Sequence, residues 1–264
     1  MSAISELDQQ LDMLHSLVAI PASEGRMHVN IIKPQTYGPH PVVVLLMGMF
    51  GIDQSLCSTA RLIAEQGYAV LVPDLYHHLG TAPEQQASSG QQALMPGQGA
   101  FVPNDFDEAL EVMRLVSDDR CLADIECLLQ FIAQRRDLDE SRVMAMGVCV
   151  GGKWSLLSGC YFADKICCVS SYYVSGLESC LYALPNLKVP GQLIVAGRSV
   201  FAGRRALNEI ENLTQASSNH FEILHYDNCD HNFLDSNGRD FDPVTAVDAL
   251  QNTCRFFSEY ARVA

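Results

Sequence analysis

Apolar residues fall along this chain in short blocks that switch between two periods. Val42 to Met47 (VVVLLM) is a continuous apolar run between Pro41 and Gly48, the length and type of a strand buried on both faces. Tyr68–Val72, Val143–Met146, Cys167–Tyr173, Gln192–Ala196 and Phe221–Tyr226 read as further strands, and Gly25 to Lys33 alternates like a half-buried one. Between them the spacing changes to that of helices, over Gln54–Gln66 (closed by Gly67), Phe106–Arg114, Cys121–Arg135, Ala202–Ala216 and Val244–Tyr260. Strands alternating with helices at this spacing predict one α/β domain over 1–264, doubly wound around a mostly parallel sheet. Ahead of it, Ile4, Leu7, Leu11, Leu14 and Leu17 predict a short amphipathic start packed outside the fold, and Pro34 to Pro41 reads as a loop. Thr81 to Asn104 breaks the rhythm. It is rich in Gln, Ser, Gly, Ala and Pro, and is expected to be a surface excursion, a mobile cap over the strand ends or an insertion without a role.

Composition narrows the partners more than the fold. A chain of 264 residues with 48% apolar and 18% charged residues fits a soluble globular enzyme. Its formal charge of −14 argues against a nucleic-acid partner, and an anionic substrate would need a local basic pocket. No run reaches the roughly 18 apolar residues of a membrane span, and the first 22 residues lack the basic start and compact apolar core of a signal peptide. The ten cysteines are scattered, with no C-x-x-C pair and no Cys/His ligand spacing, so neither zinc nor another cofactor is expected. Reduced thiols in a cytoplasm fit this pattern, and the expected partner is a small molecule. Oligomeric state is left open.

The candidate chemistry centres on Arg142 to Leu157 (RVMAMGVCVGGKWSLL). A buried strand runs into Gly147-Val148-Cys149-Val150-Gly151-Gly152, and a helical pattern resumes at Lys153. This is the strand–turn–helix of a nucleophile elbow with cysteine in the nucleophile slot. Glycines flank Cys149 because the turn is strained and a side chain there would strike the neighbouring strand and helix. The turn also aims the free N–H groups of the next helix at whatever Cys149 attacks. A lowered thiol pKa and an oxyanion donor at the Val150 N–H are the expected consequences. A cysteine beside a glycine-rich turn is also commonly just a buried side chain. The base of such an elbow comes from a later strand end, and His231, in YDNCDHNF, follows the last predicted strand and precedes the last helix.

These stretches resemble the dienelactone hydrolase family of α/β-hydrolases, from about Val42 to Tyr260. The matching segments are VVVLLMGMFGI, QGYAVLVPDLY, GVCVGG, SSYYVSGLE, LIVAG and DHNF. The resemblance implies Cys149 as nucleophile, His231 as base, and the N–H groups of Val150 and Met49 as oxyanion hole.

Four positions depart from that pattern. Ser199, in Ala196-Gly197-Arg198-Ser199, stands where the family places its triad aspartate. It can orient an imidazole but carries no charge to stabilise an imidazolium. Gly48 replaces the family's glutamate near the thiol, with Phe50 beside it in the expected pocket. His78 and Asp235 stand where the family uses two arginines for a substrate carboxylate. Asp227, Asp230 and Glu178 are candidates to replace the lost acid. The reading is a cysteine hydrolase of a neutral or cationic ester, lactone or thioester, working through an acyl-enzyme. Two alternatives stay open: a diverged cyclase, lyase or isomerase on the same fold, and a catalytically inactive binding protein.

Overall fold

The computed structural model describes residues 12–79, 102–201, 203–215 and 220–261. Eight strands are present among them: β1 (Met13–Pro21), β2 (Arg26–Pro34), β3 (His40–Leu46), β4 (Ala69–Pro73), β5 (Leu138–Val148), β6 (Cys168–Tyr172), β7 (Gly191–Ala196) and β8 (Phe221–Tyr226). They form one sheet in the order β1-β2-β4-β3-β5-β6-β7-β8. The six strands from β4 to β8 pair in parallel, while β1 and β2 add an antiparallel margin. Helices α1 (Gln54–Ala64), α2 (Phe106–Leu115), α3 (Asp118–Ala133), α4 (Val150–Tyr161), α5 (Arg204–Gln215) and α6 (Pro243–Tyr260) connect and cover the strands.

The continuous apolar runs became the central strands. Every residue of β4, β6 and β7 is buried, as are Val42 to Met47. Polar groups inside this layer are paired, as burial requires. The Gln192 amide oxygen accepts from Ser170 Oγ at 2.8 Å and Thr253 Oγ1 at 2.6 Å, tying α6 to the sheet.

The predicted amphipathic start lies outside the described residues up to Leu11, and from Met13 on it is corrected by β1. Its apolar residues recur every three or four positions, but Met13 to Pro21 pairs along its whole length with β2. Leu14 and Leu17 stay exposed, so the described part of this segment forms no buried helical stripe. Sheet pairing supplied hydrogen bonds to an entire segment, which outweighs a weak period. Two 3-10 turns, Leu177–Ser179 and Leu181–Asn186, also lie where the sequence pattern predicted nothing. The excursion expected at 81–104 falls outside the described residues except for 102–104.

Parallel pairing brings the carboxyl ends of β3, β5, β6, β7 and β8 to one edge. Leu46 pairs with Gly147, Val148 with Tyr172, Tyr172 with Ile194, and Ala196 with Tyr226. In open α/β sheets this edge is where ligands bind.

Candidate active site

Cys149 sits in the gap between β5 and α4 with φ 55° and ψ −120°, a conformation that a non-glycine residue holds only when its surroundings enforce it. The enforcement is visible on both sides. A Cβ on Gly147 would lie 2.0 Å from the Gly151 carbonyl oxygen, and one on Gly151 would lie 2.4 Å from the Leu46 carbonyl oxygen. The Cys149 N–H donates to the Tyr172 carbonyl at 3.0 Å, fixing the elbow to β6.

The sulfur is almost fully buried and receives the backbone N–H groups of Val150 and Met49. Met49 belongs to a tight turn closed by the Gly51 N–H donating to the Gly48 carbonyl at 3.1 Å. The Tyr76 hydroxyl, from the PDLY stretch, donates to the Met49 carbonyl at 2.9 Å. Bracing that carbonyl orients the peptide whose N–H faces the thiol. Burial pushes the Cys149 thiol above its ordinary pKa, against the lowering by Ser175, Val150 and Met49. This corrects the expectation of a lowered thiol pKa: helix-end donors are present, but desolvation of the thiolate outweighs them.

His231 follows β8 and is held between two rings, Tyr173 at 5.0 Å and Phe201 at 4.6 Å between centroids. Ser199 Oγ lies 2.8 Å from its Nδ1. The two loops meet because the Gly197 N–H donates to the Tyr226 carbonyl and the Arg198 N–H to the Cys229 carbonyl, each at 2.9 Å. A Cβ on Gly197 would lie 2.5 Å from the Asp227 Cα, so glycine permits that approach. Burial lowers the His231 pKa from 6.5 to about 4. No carboxylate among the described residues is hydrogen-bonded to the ring. Asp230 faces Arg198 at 3.7 Å, Asp227 packs its backbone on Gly197, and Glu178 faces Gly203.

Ser175, which the sequence reading did not single out, stands between thiol and imidazole. Its Oγ is 3.2 Å from Cys149 Sγ and 3.4 Å from His231 Nε2. The only sequence signal was its place in SSYYVSGLE, where nothing marks one serine from another.

A cleft of about 490 Å³, counting its open mouth, lies over the thiol, a size suited to a small molecule. Gly48, Met49, Phe50, Cys149, Tyr173 and Asp235 line it, together with Asp53. Asp53 caps α1 by accepting from the Leu56 N–H at 2.7 Å, and its pKa is raised by burial and by the charge of Asp235. The Asp235 loop is pinned there by Ser55, which donates to the Leu234 carbonyl and accepts from the Ser236 N–H. No lysine or arginine is among the described lining residues. Lys153 points to Asp118 at 2.6 Å instead. His78 also stands apart from this cleft. Its neighbour His77 is anchored to Asp124 at 2.8 Å, and the His78 ring packs edge-on to His77 near Arg120 and Glu24. Among the described residues no group of three or more His, Cys, Asp or Glu side chains gathers as a metal site.

A largely parallel sheet with a strained elbow at the end of a central strand defines an α/β-hydrolase. The chain belongs to the dienelactone hydrolase family, whose sequence profile matches residues 27–261. It is 25% identical over 280 residues to carboxymethylenebutenolidase of Rhodococcus opacus, covering 95% of this chain and 98% of that one. Carboxymethylenebutenolidase 1 of Cupriavidus pinatubonensis is also 25% identical, over 88% of this chain and 91% of its own. Among solved structures, a candidate dienelactone hydrolase from Klebsiella pneumoniae superposes with a TM-score of 0.80 at 19% identity, over 94% of this chain and all of that one. A dienelactone hydrolase-like promiscuous phosphotriesterase from metagenomic libraries gives 0.74 at 15%, over 94% and 98%. At these identities the structural likeness speaks to the fold.

Proposed function

We propose that this chain, whose family membership supports hydrolysis of ester or lactone bonds in a small-molecule substrate, is a cysteine hydrolase acting on a neutral or cationic ester, lactone or thioester through an acyl-enzyme. The observation that carries this reading is the thiol of Cys149, facing an open cleft and lying within reach of two backbone N–H donors, Val150 and Met49. As the thiol proton passes to His231, attack by sulfur on a carbonyl forms the S–C bond and moves the π pair onto oxygen, into the position those donors serve. Collapse expels the alcohol or thiol, which takes a proton from His231. Water, deprotonated by His231, then releases the acid. Cysteine suits such a site because a thiol depends less on its base than a serine hydroxyl does. Asp53 and Asp235 in the cleft support the substrate charge.

The test is a neutral chromogenic ester followed by mass spectrometry of the quenched protein. An acyl adduct on the Cys149 peptide, absent from Cys149→Ala, is the expected result. Turnover that survives Cys149→Ala would overturn the reading. That Ser199, and no carboxylate among the described residues, sits on Nδ1 of His231 favours a second one, a diverged non-hydrolytic enzyme or a binding protein. Its signature is a folded protein that binds esters without acylation.

A further inference from the structure

We propose that Ser175 is a catalytic proton relay between Cys149 and His231, an inference resting on the reading of Cys149 as nucleophile. The serine is held at this point by backbone, independently of its side chain. Its N–H donates to the Cys149 carbonyl at 3.2 Å, so the loop after β6 is registered directly on the elbow. Tyr173, with φ 34°, and Gly176, with φ 75°, turn the chain on either side of it. The Oγ is thereby left between Sγ at 3.2 Å and Nε2 at 3.4 Å, within hydrogen-bond reach of both groups at once.

A hydroxyl can accept and donate at once. With Nδ1–H donating to Ser199, Nε2 is free to accept, Ser175 O–H donates to it, and the thiol donates to Ser175. As the S–C bond forms, the thiol proton moves to Ser175 Oγ while the Ser175 proton moves to Nε2. The products are a tetrahedral oxyanion and an imidazolium, with the serine unchanged. The leaving alcohol or thiol then takes back one proton by the reverse shift. Two protons move in the step, where a direct dyad would move one.

The experiment compares wild type, Ser175→Ala, Ser175→Thr and Cys149→Ala on a neutral activated ester, with folding checked by circular dichroism and with acylation rates measured in mixtures of H2O and D2O. Ser175→Ala should slow acylation about 10²-fold, the lower range for a positioned proton-transfer group, while the adduct still forms on Cys149. Ser175→Thr should regain most of that loss. The wild-type rate should fall with deuterium fraction along a curve requiring two protons, and Ser175→Ala should give a straight line. A straight line for wild type, or wild-type acylation by Ser175→Ala with Cys149→Ala inert, would overturn the relay alone. An acyl adduct on Ser175 would overturn it by making that serine the nucleophile. Full activity in Cys149→Ala would instead remove the nucleophile reading and the relay together.

Discussion

Ser199 Oγ lies 2.8 Å from His231 Nδ1, in the position where the family's pattern puts a carboxylate. A hydroxyl can accept from Nδ1–H or donate to Nδ1, so it does not select the tautomer that leaves Nε2 free. A carboxylate accepts only, and adds a charge that favours the imidazolium. Ser199→Asp should therefore raise the His231 pKa above its present value of about 4 and raise kcat/KM for a neutral ester by about tenfold or more. Imidazole titration by NMR and steady-state kinetics check the two halves separately. A raised pKa without faster turnover would show that orientation of His231 does not limit the reaction.

The buried ring of His231 also makes a stability prediction. Its pKa is near 4 in the folded chain and near 6.5 when unfolded, so the unfolded chain takes up a proton first as pH falls. The neutral ring's contribution is therefore fully present above pH 6.5 and is lost as the pH drops toward 4. The loss is on the order of 3 kcal/mol from the size of the shift. Denaturant midpoints across that window should fall more steeply for the native chain than for His231→Gln. Equal slopes would mean that the ring is accessible to protons in the folded state.

Asp53 and Asp235 should make the cleft discriminate by charge. A substrate carboxylate placed about 4 Å from one of them meets repulsion of roughly 1 to 4 kcal/mol, depending on local dielectric. A neutral ester should thus surpass its carboxylate-bearing partner in kcat/KM at low salt. Asp53→Asn and Asp235→Asn should each narrow the gap. A preference for the anionic ester in the native protein would reverse the assignment.

Two glycines near the thiol should respond in opposite ways. The Cβ of Gly147→Ala would overlap the Gly151 carbonyl oxygen at 2.0 Å, which predicts a loss of about 3 kcal/mol or more, or failure to fold. The Cβ of Gly48→Ala would meet the Cys149 Cβ at an ordinary 3.5 Å, so that variant should fold normally. Its methyl lies against the nucleophile, so it should slow alkylation of Cys149 while leaving the thermal midpoint within a few degrees.

The switching periods made most of β2 to β8 and the six described helices legible, because most are apolar in a pattern their burial then uses; β8 stays half-buried and β5 begins earlier than its apolar run. β1 was not legible, because its antiparallel partner rather than its own spacing decided its form. The elbow could be read because its glycines are required by carbonyl contacts of 2.0 and 2.4 Å. His231 could be placed by its position after the last predicted strand and Ser199 only through the family resemblance, and parallel strand order then carries both loops to one edge. Ser175 and Asp53 were hidden for different reasons. Ser175 owes its place to a backbone bond between distant segments, and Asp53 reads only as a helix cap until its loop is seen beside Asp235. The thiol pKa went the other way from expectation because burial is a property of the whole fold.

The nucleophile and its base are carried by parts of the molecule with different depth. Cys149 follows the central strand β5, whereas His231 follows β8, an edge strand, most of whose side chains are only half-buried. Edge elements open more readily than central ones in native-state fluctuations. Fraying of β8 would withdraw His231 while leaving the elbow and the Met49 turn assembled. The chain should therefore pass through a state that is folded by circular dichroism, still binds ester in the cleft, and no longer turns it over. Amide exchange in β8 faster than in β5, with activity lost at lower denaturant than the far-ultraviolet signal, would be the mark of that state.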